Sequence, residues 1–248
     1  MRIRGALHVH STFSHDGTLS VPELATWYRE KGYQFVAIGE HSQDLHEQKL
    51  LQLRQECATS STDGFCIIPG IEFSCRGGIH IFGLGAARFT QVVDPLAVVA
   101  EIHAQNALAI LAHPKRTNWE FPRELLLAAD AVEIWNVAYD GKYLPAPRAS
   151  VGFRRMQEVN PKLLAVAGHD FHRKAAFYDV GIEIEAGELS KTAVMEAVRH
   201  GQFSIKSRFF FVNPQFQLTW GQSLSLRLVS RQLGYLRKAR DILRRWSS

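Results

Sequence analysis

Leu7-His8-Val9-His10-Ser11-Thr12-Phe13-Ser14-His15-Asp16-Gly17 is the stretch on which the reading of this chain turns. It begins as a short apolar run carrying two histidines one residue apart. On a strand, residues i and i+2 face the same way, so His8 and His10 can present two imidazoles to one point. Asp16-Gly17 then fits a tight bend that brings a carboxylate back towards that point. Two nitrogens and an oxygen converging at a strand end suggest a metal site, which the rest of the chain has to complete or refute.

Outward from this stretch, β-rich apolar runs alternate with helix-like segments. The expected strands are Ile3–His10, Gln34–Gly39, Phe65–Glu72, Ile79–Leu84, Ala107–Ala112, Ala131–Trp135, Leu163–Gly168 and Val180–Ile184. Between them, helices are expected from Val21 (with Ser20 as N-cap and Pro22 at a tolerated early position) to about Lys31, and over Leu45–Ala58, Pro95–Gln105, Arg123–Ala129, Ala149–Glu158 and Lys191–His200. Strands spaced by helices imply βαβ units, mostly parallel pairing and an α/β class. No repeat, low-complexity tract or obvious linker divides the chain, and α/β barrels occupy about 200–250 residues as one domain. A single barrel-like domain is the economical expectation.

Histidines and carboxylates recur at the strand ends. Glu40-His41 ends the second strand and Glu72 the third; His80 begins the next apolar run; His113 ends the fifth, and His169-Asp170-Phe171-His172 the seventh. In parallel barrels those ends share the face on which active sites are built. The gathered set is His8, His10, Asp16, His41, Glu72, His80, His113, Asp170 and His172. Taken singly, each has a plainer reading: Asp16 as a turn former, Glu72 as a surface acid, Asp170 as a helix cap, any one histidine as a satisfied strand residue. Their joint placement is what carries the argument. One transition-metal ion takes three or four protein ligands, so nine donors suit two or three ions with Glu72 as a bridge. Clustered ions about 3.5–4 Å apart hold a bridging hydroxide and clamp the oxygens of a phosphoryl group. Histidine and carboxylate mixtures suit Zn, Mn and Fe alike. No cysteine lies at a strand end and there is no GxSxG, so thiolate and serine-nucleophile chemistry lack support; Ser11, Ser14, Ser42 and Ser74 read as turn residues or supporting donors.

The ordered motifs His8-x-His10-Ser11…Asp16-Gly17, Glu40-His41, Gly70-Ile71-Glu72, His80-Ile81-Phe82-Gly83, Ala112-His113-Pro114 and Gly168-x-Asp170-x-His172 resemble the PHP (polymerase and histidinol phosphatase) family over roughly residues 1–210. The resemblance implies a distorted seven-stranded (β/α) barrel, TIM-barrel-like, with a trinuclear centre that hydrolyses phosphate esters. Carried over by motif, it assigns His8, His10, Glu72 and Asp170 to one ion, Glu72, His80 and His113 to a second, and Asp16, His41 and His172 to a third. The stretch after the HxH pair is one residue longer than the commonest family form, so either His15 or Asp16 can supply the ligand; Asp16, beside the glycine, is preferred. Glu40 stands where an Asp usually precedes the histidine, a change expected to tune the ligands rather than alter the metal count.

Phosphate needs cations besides the metals. Arg116, directly after His113-Pro114-Lys115, is the first choice to stabilise the developing charge and bind substrate, with Lys115 beside it and Arg173 and Arg76 next. Asn136 reads as a supporting donor or a plain strand cap. His169 is taken as a satisfied strand-end residue more readily than as a metal or substrate contact. The expected reaction is hydrolysis of small phosphomonoesters by a metal-bound hydroxide; action on nucleic-acid ends, or a non-catalytic metal-binding scaffold, are the alternatives.

The bulk properties set looser bounds. The chain has 248 residues, a net charge of +5 and three cysteines, Cys57, Cys66 and Cys75, with no CxxC. An odd, unclustered set argues against a disulfide framework. No secretory leader or membrane-length apolar run is read, so a cytoplasmic protein is expected. Much of the charge excess lies in Arg231, Arg237, Lys238, Arg240, Arg244 and Arg245, opposed there by Asp241. With Val229, Leu233, Leu236, Leu243 and Trp246 at near-helical spacing, they define a basic amphipathic helix docked on the barrel, with nucleic acid a possible partner. The domain reading is therefore a barrel over 1–212 and an extension over 213–248, with Phe209-Phe210-Phe211-Val212 expected to be a buried strand. Nothing in the sequence fixes an oligomeric state.

Overall fold

The computed structural model describes residues 1–140 and 144–229. The strands are β1 (Arg2–Val9), β2 (Phe35–Ile38), β3 (Glu40–His41), β4 (Cys66–Ile68), β5 (Gly70–Ser74), β6 (His80–Leu84), β7 (Leu108–Leu111), β8 (Ala131–Asn136), β9 (Leu164–Phe171), β10 (Val180–Glu185), β11 (Phe203–Ser207) and β12 (Phe211–Val212). The helices are α1 (Val21–Glu30), α2 (Glu47–Ser60), α3 (Pro95–His103), α4 (Arg123–Ala128), α5 (Pro147–Val159) and α6 (Lys191–Arg199). Residues 220–229 are also helical.

Local chemistry accounts for these elements. The β2 and β7 segments, Phe-Val-Ala-Ile and Leu-Ala-Ile-Leu, are buried at every position, as expected of strands covered on both faces. Helix α1 starts at a capping box in which the Ser20 amide and hydroxyl both donate to Glu23 Oε2, at 2.8 and 2.7 Å. Helix α2 buries Leu50, Leu53 and Cys57, a stripe at spacings of three and four. Leu53→Ala empties a fully buried position and is expected to lower stability by about 2–5 kcal/mol in urea unfolding; a loss below about 1 kcal/mol would show that α2 does not depend on this stripe.

All twelve strands belong to one sheet. Pairing is mixed, where mostly parallel pairing is expected from the sequence. The pairs β1–β2, β2–β4, β3–β5, β7–β8, β8–β9 and β9–β1 are parallel. By contrast β5–β6, β6–β7, β1–β10, β10–β11 and β11–β12 are antiparallel. The cause at β5–β6 is the short connection over residues 75–79, since a parallel crossover needs a dozen residues or more. This reversal has a consequence for the site. Because β6 runs against its neighbours, its first residue, His80, pairs with Ser74 at the end of β5, and its carbonyl accepts from Ala112 just past β7 at 3.0 Å. A histidine at a strand start thus arrives at the edge where the parallel strands finish.

Three sequence expectations need correction in detail. The runs Gln34–Gly39 and Phe65–Glu72 are each interrupted, at Gly39 and Pro69, and continue as β3 and β5. Phe209–Val212 is not a buried strand: only Phe211 and Val212 form β12, and Phe209 and Phe211 are 67% and 66% exposed. It lies on the outer edge of the sheet, paired only with β11, so one face meets solvent. Strand β11, half-polar in sequence, goes unread there. The expected helix over 229–246 falls outside the described residues apart from Val229. Residues just before it are tied to the main body: Ala165 N–H donates to Pro214 O at 2.7 Å, and buried Phe216 meets Phe153 edge to face. No helix among the described residues is long and apolar enough to cross a membrane.

Candidate metal centre

The two opening histidines converge by a route that simple strand alternation does not describe. Pairing of β1 with β2 skips from Ala6 to Val9, and with β9 from Leu7 to Val9. His8 sits in this bulge with φ of 61°, and bulges re-aim side chains. His10 follows the strand, its N–H donating to Phe171 O at 2.9 Å. Both rings are fully buried with centroids 5.0 Å apart. His113 and Asp170 also adopt positive φ, 31° and 48°. Such non-glycine conformations cost about 1–3 kcal/mol each and concentrate at functional sites. Three of the nine expected donors carry this strain.

The turn after His10 closes through Ser14 N–H to Ser11 O (3.0 Å) and Gly17 N–H to Ser14 O (3.2 Å). A Cβ at position 17 would lie 1.9 Å from Ser11 O, so the turn requires glycine there. It returns Asp16 to a place where its two oxygens lie 3.3 Å from His41 Nε2 and 3.3 Å from His172 Nε2.

Glu72 is the hub. Its Oε1 lies 2.8 Å from His80 Nδ1, 2.8 Å from His113 Nε2 and 3.6 Å from His8 Nε2; Oε2 lies 2.9 Å from His41 Nδ1 and 3.8 Å from His10 Nε2. Asp170 Oδ1 is 3.4 Å from His10 Nε2 and 3.7 Å from His172 Nδ1. All nine donors read from the sequence therefore meet in one cluster. Within it, the trios His8–His10–Glu72, Glu72–His80–His113 and His10–His41–His172 each keep their ligand atoms within 4.8 Å of one another.

The donor set fits divalent cations. The ring nitrogens His8 Nε2, His10 Nε2 and His172 Nε2 are buried without a hydrogen-bond partner, and a buried polar atom left unpaired costs about 1–3 kcal/mol. Each faces a carboxylate oxygen across a gap that positive charge would fill. The electrostatics agree. Burial pushes the Glu72 carboxyl up, but the His8 charge and the His113 hydrogen bond outweigh it and hold Glu72 well below the carboxylate range. Burial likewise opposes ionisation of Asp170, which its hydrogen bond with His10 holds low. Burial drives His10 down to about 4, leaving it a neutral imidazole, the form that binds metal.

A further layer holds these rings. Glu133, fully buried on β8, takes His8 Nδ1 at 2.7 Å, the His113 N–H at 2.9 Å and the Asn136 side-chain amide at 2.8 Å. Burial pushes its carboxyl up, but His8 and these donors bring it below the usual range. Gly168 makes room for it: a Cβ there would lie 2.1 Å from Glu133 Oε1. Glu40 accepts from the Ser11 N–H (2.9 Å) and from the Ser11 and Ser14 hydroxyls (2.5 Å each). Ser14 Oγ in turn lies 3.2 Å from His10 Nδ1 and accepts from the His41 N–H at 3.1 Å. Burial pushes Glu40 up to about 7 in spite of the serine donors. Carboxylates placed behind metal-binding histidines fix the ring and its tautomer.

Of the cations, Arg116 reaches the cluster, its Nη1 3.4 Å from His80 Nε2. Lys115 is held by the Tyr139 carbonyl, and the Tyr139 ring lies 5.0 Å from that of His113. Arg173, next to His172, and Arg76 are exposed. His169 is turned away from the donors and is satisfied by Tyr28 Oη at 2.9 Å and by the Val180 carbonyl. Sequence reasoning misses Glu133 and Tyr139. A single charge inside the apolar run Ala131–Trp135 was the available signal for Glu133; Tyr139 has none.

No family model matches the chain. Three solved structures share its architecture at 14% identity. A protein of Bifidobacterium adolescentis designated a candidate metal-dependent phosphoesterase aligns with a TM-score of 0.52 over 78% of this chain and 96% of that one. The chain shares the fold of that protein. An amidohydrolase of Chromobacterium violaceum, solved with bound sulfate, gives 0.55 over 85% and 98%. The lesion-specific endonuclease EndoQ of Pyrococcus furiosus gives 0.60 over 83% of this chain and 58% of that one. All three carry hydrolase names. In sequence, 79 residues are 38% identical to DNA polymerase/3'-5' exonuclease PolX of Bacillus subtilis (strain 168), a match that takes in 29% of this chain and 14% of that protein.

Proposed function

We propose that this chain is a metal-dependent phosphoesterase that hydrolyses small phosphomonoesters at a centre of three divalent ions, Zn, Mn or Fe. The observation that carries this reading is Glu72, a fully buried carboxylate ringed by five imidazoles. Bound there, divalent ions supply an acidified water and positive charge opposite the phosphate oxygens. His8, His10, Glu72 and Asp170 would hold one ion, Glu72, His80 and His113 a second, and Asp16, His41 and His172 a third. The fold reading that goes with it is a distorted seven-stranded barrel. It is supported by the ring of pairings from β1 through β2–β3, β4–β5, β6, β7 and β8 to β9, which returns to β1.

The chain's own residues then divide the work. Glu133 fixes the His8 ring, and Ser14, braced by Glu40, fixes His10. Arg116, at the rim beside His80, receives a non-bridging phosphate oxygen, for which a guanidinium offers two donors. Arg116→Ala is expected to raise KM for a phosphomonoester about 10–100-fold, the cost of a hydrogen bond to charge, with metal content unchanged. An unaltered KM would remove Arg116 from the substrate site.

A second reading has its own support. The polymerase/exonuclease match and the endonuclease fold likeness favour a nucleic-acid substrate. Parallel assays of the Mn-loaded protein on p-nitrophenyl phosphate, a phosphorylated-metabolite panel and end-labelled oligonucleotides separate the two. Faster turnover of oligonucleotides than of every small ester would overturn the small-molecule reading in favour of the nuclease.

A further inference from the structure

We infer that His15 is an additional, solvent-side ligand of the outermost ion, oriented by Asp44, so that this ion is bound by Asp16, His41, His172 and His15 together. The inference rests on the metal-centre reading above and extends it to two residues which that reading leaves unused.

The geometry is specific. His15 Nδ1 lies 2.7 Å from Asp44 Oδ2, and the same oxygen accepts the His15 backbone N–H at 2.9 Å. One carboxylate oxygen thus fixes both the main chain and the ring of His15. A ring nitrogen of His15, a carboxylate oxygen of Asp16 and a ring nitrogen of His41 lie within 4.8 Å of one another, and the His15 and His41 ring centroids are 5.5 Å apart. With Nδ1 committed to Asp44, Nε2 is the nitrogen left for a cation, the carboxylate–histidine–metal arrangement that raises ligand basicity and sets the ring. Asp44 is itself well anchored. It closes the 3-10 turn Ser42–Asp44 that directly follows His41, and its carbonyl accepts Lys49 Nζ at 2.9 Å. The segment that delivers His41 therefore also delivers the group orienting His15.

Exposure separates this histidine from the other donors. The side chain of His15 is 64% exposed and that of Asp16 44%, while those of His8 and His10 are wholly buried. The outermost ion would thus be held by the wettest ligands of the centre. It should be the weakest-bound and the first to exchange, with His15 the most exposed of its ligands.

The test is metal binding to the full chain, read by isothermal titration and elemental analysis after titration with Zn²⁺, and by the visible spectrum of the Co²⁺-loaded protein. His15→Ala is expected to raise Kd of the weakest ion about 10–100-fold and to change the Co²⁺ bands of that site alone. Asp44→Asn, which keeps the shape but removes the charge, is expected to do the same to a smaller degree. Unchanged Kd and bands in His15→Ala would overturn the inference. So would equal weakening of every ion, or a fall in the Tm of the chelator-treated protein that matches the metal effect, since either marks a purely structural turn. Failure of the wild-type chain to bind any ion is a different outcome, one that contradicts the metal-centre reading itself.

Discussion

Glu72→Ala is expected to remove at least two ions from the centre and to lower phosphoesterase activity by more than about 100-fold. The reason is connectivity. Five histidines on four separate segments approach this one carboxylate within 2.8–3.8 Å, so its loss leaves two ligand sets incomplete and five rings without their shared counter-charge. Even groups one step behind a metal ligand cost about 10–100-fold when removed, and a bridging ligand should cost more. Glu72→Gln keeps the volume and separates the effect from a simple cavity: it should bind metal poorly while retaining the circular-dichroism spectrum of the fold. Elemental analysis showing a full metal complement in either variant would show that Glu72 does not bridge.

Glu133→Gln should lower metal affinity or kcat/KM about 10–100-fold without touching a ligand. Glu133 accepts on both oxygens, from His8, the His113 N–H and Asn136. An amide offers one acceptor in place of two, so one of those donors faces an N–H₂ group inside a dry interior, and His8 loses its ionic partner. Gly168→Ala offers an independent approach to the same element, because its methyl would occupy the space of Glu133 Oε1. The two variants should share a phenotype, weakened binding of the ion held by His8. Titration that finds wild-type affinity in both would show that the orientation of His8 is set elsewhere.

The donor set was open to sequence reading because ligand chemistry at strand ends leaves a residue-type signature. His8, His10, Asp16, His41, Glu72, His80, His113, Asp170 and His172 are all polar residues interrupting apolar runs at element boundaries, and the structure gathers them. What the sequence hides is how they arrive. The positive φ of His8 and the bulge around it depend on two neighbouring strands, and no local pattern records them. The antiparallel β6 is implied only by the brevity of residues 75–79, and it turns His80 from an apparent outlier into a neighbour of Glu72. Glu133 was passed over because it lies mid-strand among apolar residues, where its partner His8 is 125 positions away. Strand β11 escaped for the opposite reason, because its buried positions alternate with wetter ones and read as half-polar, while at the edge strand β12 the aromatic run hides that one face is wet.

The 14-to-17 turn shows both limits at once. Its length left His15 and Asp16 as alternatives in the sequence; the structure places Asp16 against His41 and His172 and His15 against Asp44. The pair can act together, since one residue faces the cluster and the other is braced at its rim.

The most direct measurement is hydrolysis of a phosphoester panel by the purified chain, run beside elemental analysis of the same sample before and after chelation. The account predicts three divalent ions per chain, hydrolysis that disappears with the chelator and returns on adding Zn²⁺, Mn²⁺ or Fe²⁺, and loss of both metal and turnover in His10→Ala. A full metal complement with no hydrolysis of monoesters, diesters or oligonucleotides, or hydrolysis that persists once the metal is gone, would contradict it.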